Sequence, residues 1–220
     1  MSKQKIGFIG LGSLGEGLCN SLVTAGYPVT VNDLNKDLAT RLLAAGATWA
    51  DTTADTCKDA DVVITVLPSP AISRKVVEGP NGVFDNLKPG ATWIEMSTTD
   101  MDDLLRLSEV AKAKGIEVLE CPVTGGVHLA NSGEITVLVG GEEATFKGVE
   151  DILKTIGGEI IYMGKMGNAS VVKVVTNMLA FIHLIAAGEA MMLPAKYGVD
   201  PDAIVARSSS RFASDSRRWS

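Results

Sequence analysis

The chain has 220 residues, a net charge of -6 at pH 7 and a pI near 5.0. Hydrophobic residues make up 46% of it and charged residues 21%, a composition typical of globular proteins and not of disordered ones. Because the charge is acidic and no basic run is present, we expect neither a nucleic-acid partner nor a membrane partner.

The cysteines and the N-terminus indicate a reducing compartment. Cys19, Cys57 and Cys121 are far apart in sequence and form no C-x-x-C pair, so they predict neither a disulfide framework nor a zinc site. Residues 1–5 lead directly into a predicted strand and lack the apolar segment and cleavage site of a secretory signal. We therefore expect a cytoplasmic protein.

The first part of the chain matches a βαβ unit. Apolar and β-branched residues predict strands at 5–9 and 29–31, and the helix predicted between them, 13–25, ends at Gly26. The further predicted strands are 61–67, 91–96, 116–120, 135–139 and 160–163, and the further predicted helices are 35–45, 101–114 and 143–156. This alternation predicts an α/β fold with a Rossmann-type, doubly wound parallel sheet.

A glycine-rich segment at 164–168 ends the alternation, and the residues after it predict helices only. We therefore expect two domains, a Rossmann domain at 1–164 and an all-helical domain at 165–220 that begins with a long helix.

The apolar segment 171–193 is long enough for a transmembrane helix, but it is interrupted by Lys173, Asn177, His183 and Glu189. A buried helix of a soluble protein fits this pattern better.

Gly10, Gly12 and Gly15 form a G-x-G-x-x-G motif between a predicted strand and a predicted helix, which is the context that the motif requires. In this motif the first glycine allows a tight turn, the second lets the backbone approach a pyrophosphate, and the third lets the helix pack closely on the strand. The helix N-terminus adds free N–H groups for the phosphates. The sequence therefore predicts a dinucleotide site at Gly10, Leu11, Gly12, Ser13, Leu14 and Gly15.

Asp33 lies at the end of the second predicted strand, 18 residues after Gly15, where a carboxylate can accept hydrogen bonds from ribose hydroxyls. A 2′-phosphate would be repelled there, and the nearest cation, Lys36, does not occupy the usual arginine position. We therefore expect NAD as the cofactor rather than NADP. The alternative is a glycine-rich turn without a ligand and a solvated Asp33.

Several segments carry a family resemblance. They are 7–15 around the glycine motif, 66–69 and 96–99 at the ends of two predicted strands, 121–127, and 164–177. Together they resemble the β-hydroxyacid dehydrogenase family, and within it the 3-hydroxyisobutyrate dehydrogenase-like enzymes. The resemblance implies an oxidoreductase that transfers a hydride between NAD and the β-carbon hydroxyl of a small 3-hydroxy acid.

The resemblance also implies site residues in the turns and loops that follow the predicted strands. They are Leu67, Pro68 and Thr98 for the cofactor, and Ser97, Thr124, Gly125 and Gly126 for the substrate. Thr124 stands where the family usually has serine, and it keeps the hydroxyl. Without the resemblance, Pro68 and Ser97 equally predict simple strand ends, and the two glycines predict a plain turn.

Lys173 and Asn177 are four residues apart and therefore lie on one face of the predicted helix, among valines and leucines that would remove them from water. A lysine in such surroundings has a lowered pKa and suits proton transfer. The resemblance implies that both contact the substrate, with Lys173 exchanging a proton with its oxygen and Asn177 orienting the oxygen or the lysine. Periodicity alone equally allows a lysine that extends from a core helix to solvent.

His128 and His183, the two histidines of the chain, are candidate catalytic bases. No serine or cysteine nucleophile motif accompanies either, so we expect both to be core or pocket histidines.

The chain ends at Ser220, short of the family's usual length, and 208–220 resembles the expected segment only loosely. The alternative function is therefore a truncated NAD-binding protein with little or no catalytic activity. Asp33 disfavours an NADP-dependent enzyme like 6-phosphogluconate dehydrogenase, and Lys173 disfavours an imine reductase. If packing partners of the long helix are missing, we expect its apolar side chains to be exposed and to favour a homo-oligomer.

Overall fold

The computed structural model describes residues 3–200 and 202–204. The chain divides into two compact units, one ending at Lys173 and the other beginning at Val174. The predicted helices from residue 201 onward and the segment 208–220 lie outside the described residues, apart from a helical stretch at 202–204. The predicted domain boundary at residue 165 stays a prediction.

The first unit alternates strands and helices. Its strands are β1 (Ile6–Ile9), β2 (Val29–Asn32), β3 (Thr48–Trp49), β4 (Val62–Thr65), β5 (Thr92–Glu95), β6 (Glu117–Glu120), β7 (Val123–Thr124), β8 (Thr136–Gly141) and β9 (Glu159–Gly164). Its helices are α1 (Ser13–Thr24), a 3-10 helix (Lys36–Ala39) continued by α2 (Thr40–Ala44), α3 (Thr53–Cys57), α4 (Pro70–Glu78), α5 (Val83–Asn86), α6 (Met101–Ala113), α7 (Val127–Ser132) and α8 (Glu143–Ile156). Helix α9 (Asn168–Lys196) follows.

Within the described residues the strands form a single sheet in the order β3-β2-β1-β4-β5-β6-β8-β7, with β9 beside β8. The strands from β3 to β6 pair in parallel. This order reverses direction between β1 and β4, which is the switch point at which open α/β sheets bind ligands. The predicted Rossmann-type sheet followed by a helix is confirmed.

The far edge of the sheet differs from the all-parallel prediction. Strand β8 runs antiparallel to both β6 and β7, and only β9 pairs with it in parallel. The chain between Thr124 and Thr136 is too short for the crossover that parallel neighbours need, so it turns back through α7. The sheet is therefore mixed.

Both faces of the sheet are buried. Phe8 and Ile64 face a core completed by α1 and α8, whereas Val63 and Trp93 face a second core with α4, α5 and α6. In the second core the Trp93 ring packs edge-on against Phe84 at 5.0 Å, and its indole N–H donates to the Thr65 hydroxyl at 2.9 Å.

Several short elements escaped the sequence prediction. Strands β3 and β7 have two residues each, and α5 has four, too few for a hydrophobic period to emerge. Helix α4 is longer and carries a start signal, because the Ser69 hydroxyl accepts from the N–H of Ile72 at 3.3 Å and Pro70 occupies the first turn.

Helix α9 confirms the long helix, but the burial expected for 171–193 is wrong. Most of its apolar side chains are exposed, with Phe181 at 65% and Leu184 at 68%. Exposed apolar surface of this extent is typical of an interaction surface. By length and composition α9 is apolar enough to cross a membrane, a test that core helices of soluble proteins also pass.

Burial on both faces of β4 predicts that neighbouring residues are equally sensitive to truncation. Ile64 and Val63 are both fully buried on opposite faces, so Ile64→Ala should lower the free energy of unfolding by about 2–5 kcal/mol and Val63→Ala should lower it as well. Thr48→Ala, at an exposed site on edge strand β3, should change it by less than about 0.5 kcal/mol. Urea unfolding measures all three, and a neutral Val63→Ala would contradict the two-faced core.

Candidate functional site

A groove of about 810 Å³ opens at the carboxyl ends of β1 and β4, the switch point of the sheet. This volume suits a small organic ligand. Eight residues predicted to bind the cofactor line the groove: Gly10, Gly12, Ser13, Leu14, Gly15, Asp33, Leu67 and Pro68. Leu11 is buried beside it, and Thr98, on an exposed turn, does not line it.

The three glycines of the motif differ in what a side chain would meet. At Gly10 the backbone has φ +98°, and a Cβ would lie 2.2 Å from the Val66 carbonyl oxygen. A Cβ on Gly15 would lie 2.1 Å from the carbonyl oxygen of Gly10, so β1, β4 and α1 approach each other here more closely than side chains allow. A Cβ on Gly12 would meet nothing within 4 Å and would fill groove space.

Helix α1 begins directly at this loop. Gly12 is its N-cap residue, and no side chain caps the first turn. The N–H groups of a helix's first turn lack partners within the helix, and the helix dipole favours negative charge beside them. Open space at Gly12 and an uncapped helix N-terminus together fit a pyrophosphate.

Asp33 is held in place by two backbone groups. One carboxylate oxygen accepts from the N–H of Leu11 at 2.7 Å, and the other accepts from the N–H of Asn35 at 2.9 Å. Each oxygen keeps a further lone pair for a ligand. The first contact connects the end of β2 to the glycine loop. It therefore fixes the position of the carboxylate relative to the phosphate-sized space at Gly12.

Other groove residues were missed by the sequence analysis. They are mainly apolar or small and include Leu34, Leu38, Thr53, Ile72, Lys75, Val76 and the segment 80–82. Leu34 is fully exposed, and apolar side chains at a groove mouth suit a flat aromatic ring. The capping signal of α4 would have placed Ile72, Lys75 and Val76 here, because α4 starts at the end of the turn that follows β4.

Ser97, predicted to bind substrate, is buried and joins two strand ends. Its hydroxyl accepts from the N–H of Leu67 at 2.8 Å, and its own N–H donates to the Glu95 carboxylate at 2.8 Å. Glu95 also accepts from the Ser73 hydroxyl, and burial raises the pKa of this carboxyl. The network fixes the turn after β4, which forms one wall of the groove.

Glu95 and Glu120 were both missed. Glu120 is the last residue of one predicted apolar strand and Glu95 is the last but one of another, so a carboxylate near the end of an apolar strand is the signal that could have found them. The two residues are register partners on β5 and β6, and both are 1% exposed. A charged residue buried to this extent requires hydrogen-bonding partners, which the tertiary structure supplies.

The predicted substrate loop follows β6. Thr124 is half-buried on β7, and Gly125 and Gly126 are exposed with φ of +129° and +87°. Helix α7 begins after Gly126 and packs against α1, where a Cβ on Gly17 would lie 2.3 Å from the Asn131 Oδ1. Ser97, Thr124 and the two glycines do not line the groove of the described chain, so their substrate role stays a prediction.

Helix α9 carries Lys173 and Asn177, both half-buried. Burial lowers the pKa of Lys173, which agrees in direction with the expected proton-transfer chemistry. The first unit ends at Lys173, and Asn177 belongs to the second.

Other chemistry finds no support among the described residues. They contain no cluster of three histidine, cysteine or acidic side chains that could hold a metal ion. Burial raises the pKa of the Cys57 thiol to about 12 and raises those of Cys19 and Cys121 as well, so these thiols are poor nucleophiles. His128 and His183 are exposed, so the expectation of a core position is wrong for both.

Comparison with known families gives two matches in succession. Residues 5–164 match the family described as the NAD binding domain of 6-phosphogluconate dehydrogenase. Residues 167–215 match the family described as the NAD-binding domain of NADP-dependent 3-hydroxyisobutyrate dehydrogenase.

Curated relatives and solved structures agree with these matches. A probable mitochondrial 3-hydroxyisobutyrate dehydrogenase of Dictyostelium discoideum is 37% identical over 200 residues, covering 91% of this chain and 62% of the relative. The mitochondrial enzyme of Rattus norvegicus is 36% identical, with coverage of 91% and 60%. The chain thus spans about three-fifths of the length of these relatives.

The structure of Mycobacterium tuberculosis 3-hydroxyisobutyrate dehydrogenase with L-serine superposes with a TM-score of 0.84 at 31% identity, covering 90% of this chain and 67% of that one. The chain therefore belongs to the β-hydroxyacid dehydrogenase family.

Proposed function

We propose that this chain binds NAD in the groove at β1 and β4 and acts as a 3-hydroxyacid dehydrogenase on a small, 3-hydroxyisobutyrate-like acid. The observation that carries the proposal is the convergence of Gly10, Gly12, Gly15 and Asp33 on one groove at the switch point. The names of the relatives support the substrate class, since several are 3-hydroxyisobutyrate dehydrogenases and one is a 2-(hydroxymethyl)glutarate dehydrogenase.

The residues present fit a nicotinamide dinucleotide. The pyrophosphate would lie at Gly12 and the N-terminus of α1, and the ribose hydroxyls would bind the Asp33 carboxylate. Exposed Leu34 would then contact the adenine. When bound, the cofactor would supply the acceptor for the hydride of the substrate's β-carbon, and a residue of this chain would take up the hydroxyl proton as the carbonyl forms.

Three features favour NAD over NADP. A 2′-phosphate at Asp33 would meet a carboxylate that two backbone N–H groups hold in place. Lys36 lies over the Trp49 ring, 5.4 Å from its centre. Lys75 lines the groove, but from α4 on the β4 side, away from the end of β2 that carries Asp33. NADP is the alternative, because one matching family is described as NADP-dependent.

We assign proton transfer to Lys173. The substrate's hydroxyl proton passes to the neutral amine during oxidation, and the ammonium returns it during reduction. Burial lowers the pKa of Lys173, so more of the neutral base is present near neutral pH. Asn177 is proposed to orient the substrate oxygen or the amine, and Ser97, Thr124, Gly125 and Gly126 to hold the substrate.

Cofactor binding without turnover is the second candidate. The observation that favours it is the exposure of α9, because Lys173 and Asn177 are half-buried rather than enclosed, and enclosure strengthens proton-transfer and charge interactions. A homo-oligomer and a cytoplasmic location stay proposals from the sequence.

The cofactor proposal predicts opposite outcomes for two glycines of the same loop. Gly12→Ala should leave the free energy of unfolding within about 1 kcal/mol of the parent, since the backbone has φ -57° and a Cβ meets open space. It should nevertheless abolish NADH binding, measured by fluorescence titration. Gly10→Ala should destabilise the fold itself by about 1–3 kcal/mol or more, because of its φ of +98° and the Val66 carbonyl. Unchanged NADH affinity in Gly12→Ala would contradict the proposed site.

Asp33 predicts the cofactor preference. The parent chain should bind NAD at least about tenfold more tightly than NADP, and Asp33→Asn should narrow that ratio because the charge repelling a 2′-phosphate is gone. The amide keeps one oxygen for backbone donors, so folding should persist. Calorimetric titration with both cofactors gives the ratio, and tighter binding of NADP by the parent chain would rule out the assignment.

Lys173 predicts the rate and its pH dependence. Lys173→Ala should lower turnover of 3-hydroxyisobutyrate by about 10²- to 10⁴-fold while NAD affinity stays within about threefold. Oxidation needs the neutral amine, so the oxidation rate should rise with pH through a midpoint below 10.5, the ordinary pKa of lysine. The reduction rate should fall with pH through the same midpoint. Lys112→Ala, an exposed lysine on α6, is the matched control and should keep parental rates. Equal loss of turnover and NAD affinity in Lys173→Ala would count against the assignment.

A further inference from the structure

Glu120 is a buried carboxylate for which the proposed function gives no role. It is the last residue of β6 and is 1% exposed. The next residues along the chain, 121–126, form the predicted substrate loop. A charge at this depth is costly unless donors surround it, so the identity of those donors shows what the residue does.

Within the part of the chain that the structure describes, the Glu120 side chain accepts its hydrogen bonds from the start of α9. One oxygen accepts from the N–H of Gly167 at 2.5 Å and from the N–H of Ala169 at 3.1 Å. The other accepts from the N–H of Ser170 at 3.0 Å and from its hydroxyl at 2.5 Å. These N–H groups have no partners within the helix, and the helix dipole favours a negative charge at this end. Glu120 therefore caps α9 from a strand that lies 47–50 residues earlier.

The neighbouring strand leaves space for this carboxylate. A Cβ on Gly140 of β8 would lie 2.2 Å from the Glu120 Oε1. Gly140 does not have a positive φ, so its backbone conformation does not require glycine. Glycine is required there because the carboxylate approaches so closely. The absence of a side chain at Gly140 thus leaves room for the Glu120 carboxylate.

We propose that Glu120 is a positioning residue that couples the substrate loop to the proton-transfer helix. Its backbone is the point from which the loop departs, and its carboxylate holds the helix turn that immediately precedes Lys173. The inference rests on the proposed function for the roles of the loop and of Lys173. Movement of either element would be transmitted through one side chain.

Glu120→Gln tests the coupling. The amide group puts a donor where the carboxylate accepts four hydrogen bonds, so amide hydrogen exchange at Gly167, Ala169 and Ser170 should accelerate by about 10- to 100-fold. Looser packing of this turn should expose Lys173 to water and move the pH midpoint of its acetylation, followed by mass spectrometry, toward 10.5. Turnover should fall by roughly 10- to 100-fold with NAD affinity unchanged.

Glu95→Gln is the matched control, because Glu95 is the register partner of Glu120 and equally buried but binds Ser73 and Ser97 instead. It should leave exchange at 167–170 and Lys173 acetylation unchanged. Ser170→Ala is a milder variant that removes one donor and keeps the buried charge, and it should produce a smaller change of the same kind. It serves the same test if Glu120→Gln fails to fold.

The inference would be overturned if amide hydrogen exchange at 167–170 kept the parental rate in both Ser170→Ala and Glu120→Gln. It would also be overturned if exchange became faster while the pH midpoint of Lys173 acetylation stayed unchanged. The same changes in Glu95→Gln would also overturn it, because they would reflect general destabilisation. If the parent chain turns over no 3-hydroxy acid, the proposed function alone fails. Amide hydrogen exchange and the acetylation of Lys173 then still decide whether Glu120 positions Lys173.

Discussion

The close approach of β1, β4 and α1 at Gly10 and Gly15 is the constraint on which the groove depends. Hypothetical Cβ atoms there would lie 2.2 Å and 2.1 Å from carbonyl oxygens, so any side chain would push the strands and the helix apart. The loop between them presents open space at Gly12, beside an uncapped helix N-terminus. The same loop binds Asp33 through the N–H of Leu11, which connects the phosphate-sized space to the end of β2.

Buried carboxylates extend this order to the neighbouring strand ends. Glu95 holds Ser97 and Ser73, and through Ser97 the turn after β4, whereas Glu120 holds the first turn of α9. Each removes a charge from water, which is favourable only when several donors converge on it. Carboxylates provide directional contacts, and such contacts hold loops and helix ends in place.

The parts that sequence predicted well are those governed by local rules. The sequence predicted strands β1, β2, β4, β5 and β6 and helices α1, α6 and α8 to within a few residues of their bounds, because their periodicity and glycine stops are strong. The glycine motif and Asp33 were placed correctly in one groove, since a strand, a turn and a helix in series leave little geometric freedom. Helices α4 and α7 were missed, and with them the β4-side wall of the groove and the contact between α7 and α1.

By itself the sequence determined the alternation of elements and the glycine turn, because these follow from residues close together along the chain. Only the tertiary structure decided the antiparallel pairing of β8, the exposure of α9 and the partners of Glu95 and Glu120. Those features depend on which distant segments of the chain meet. The donors of Glu120 lie 47–50 residues away, a separation at which no local pattern records the contact.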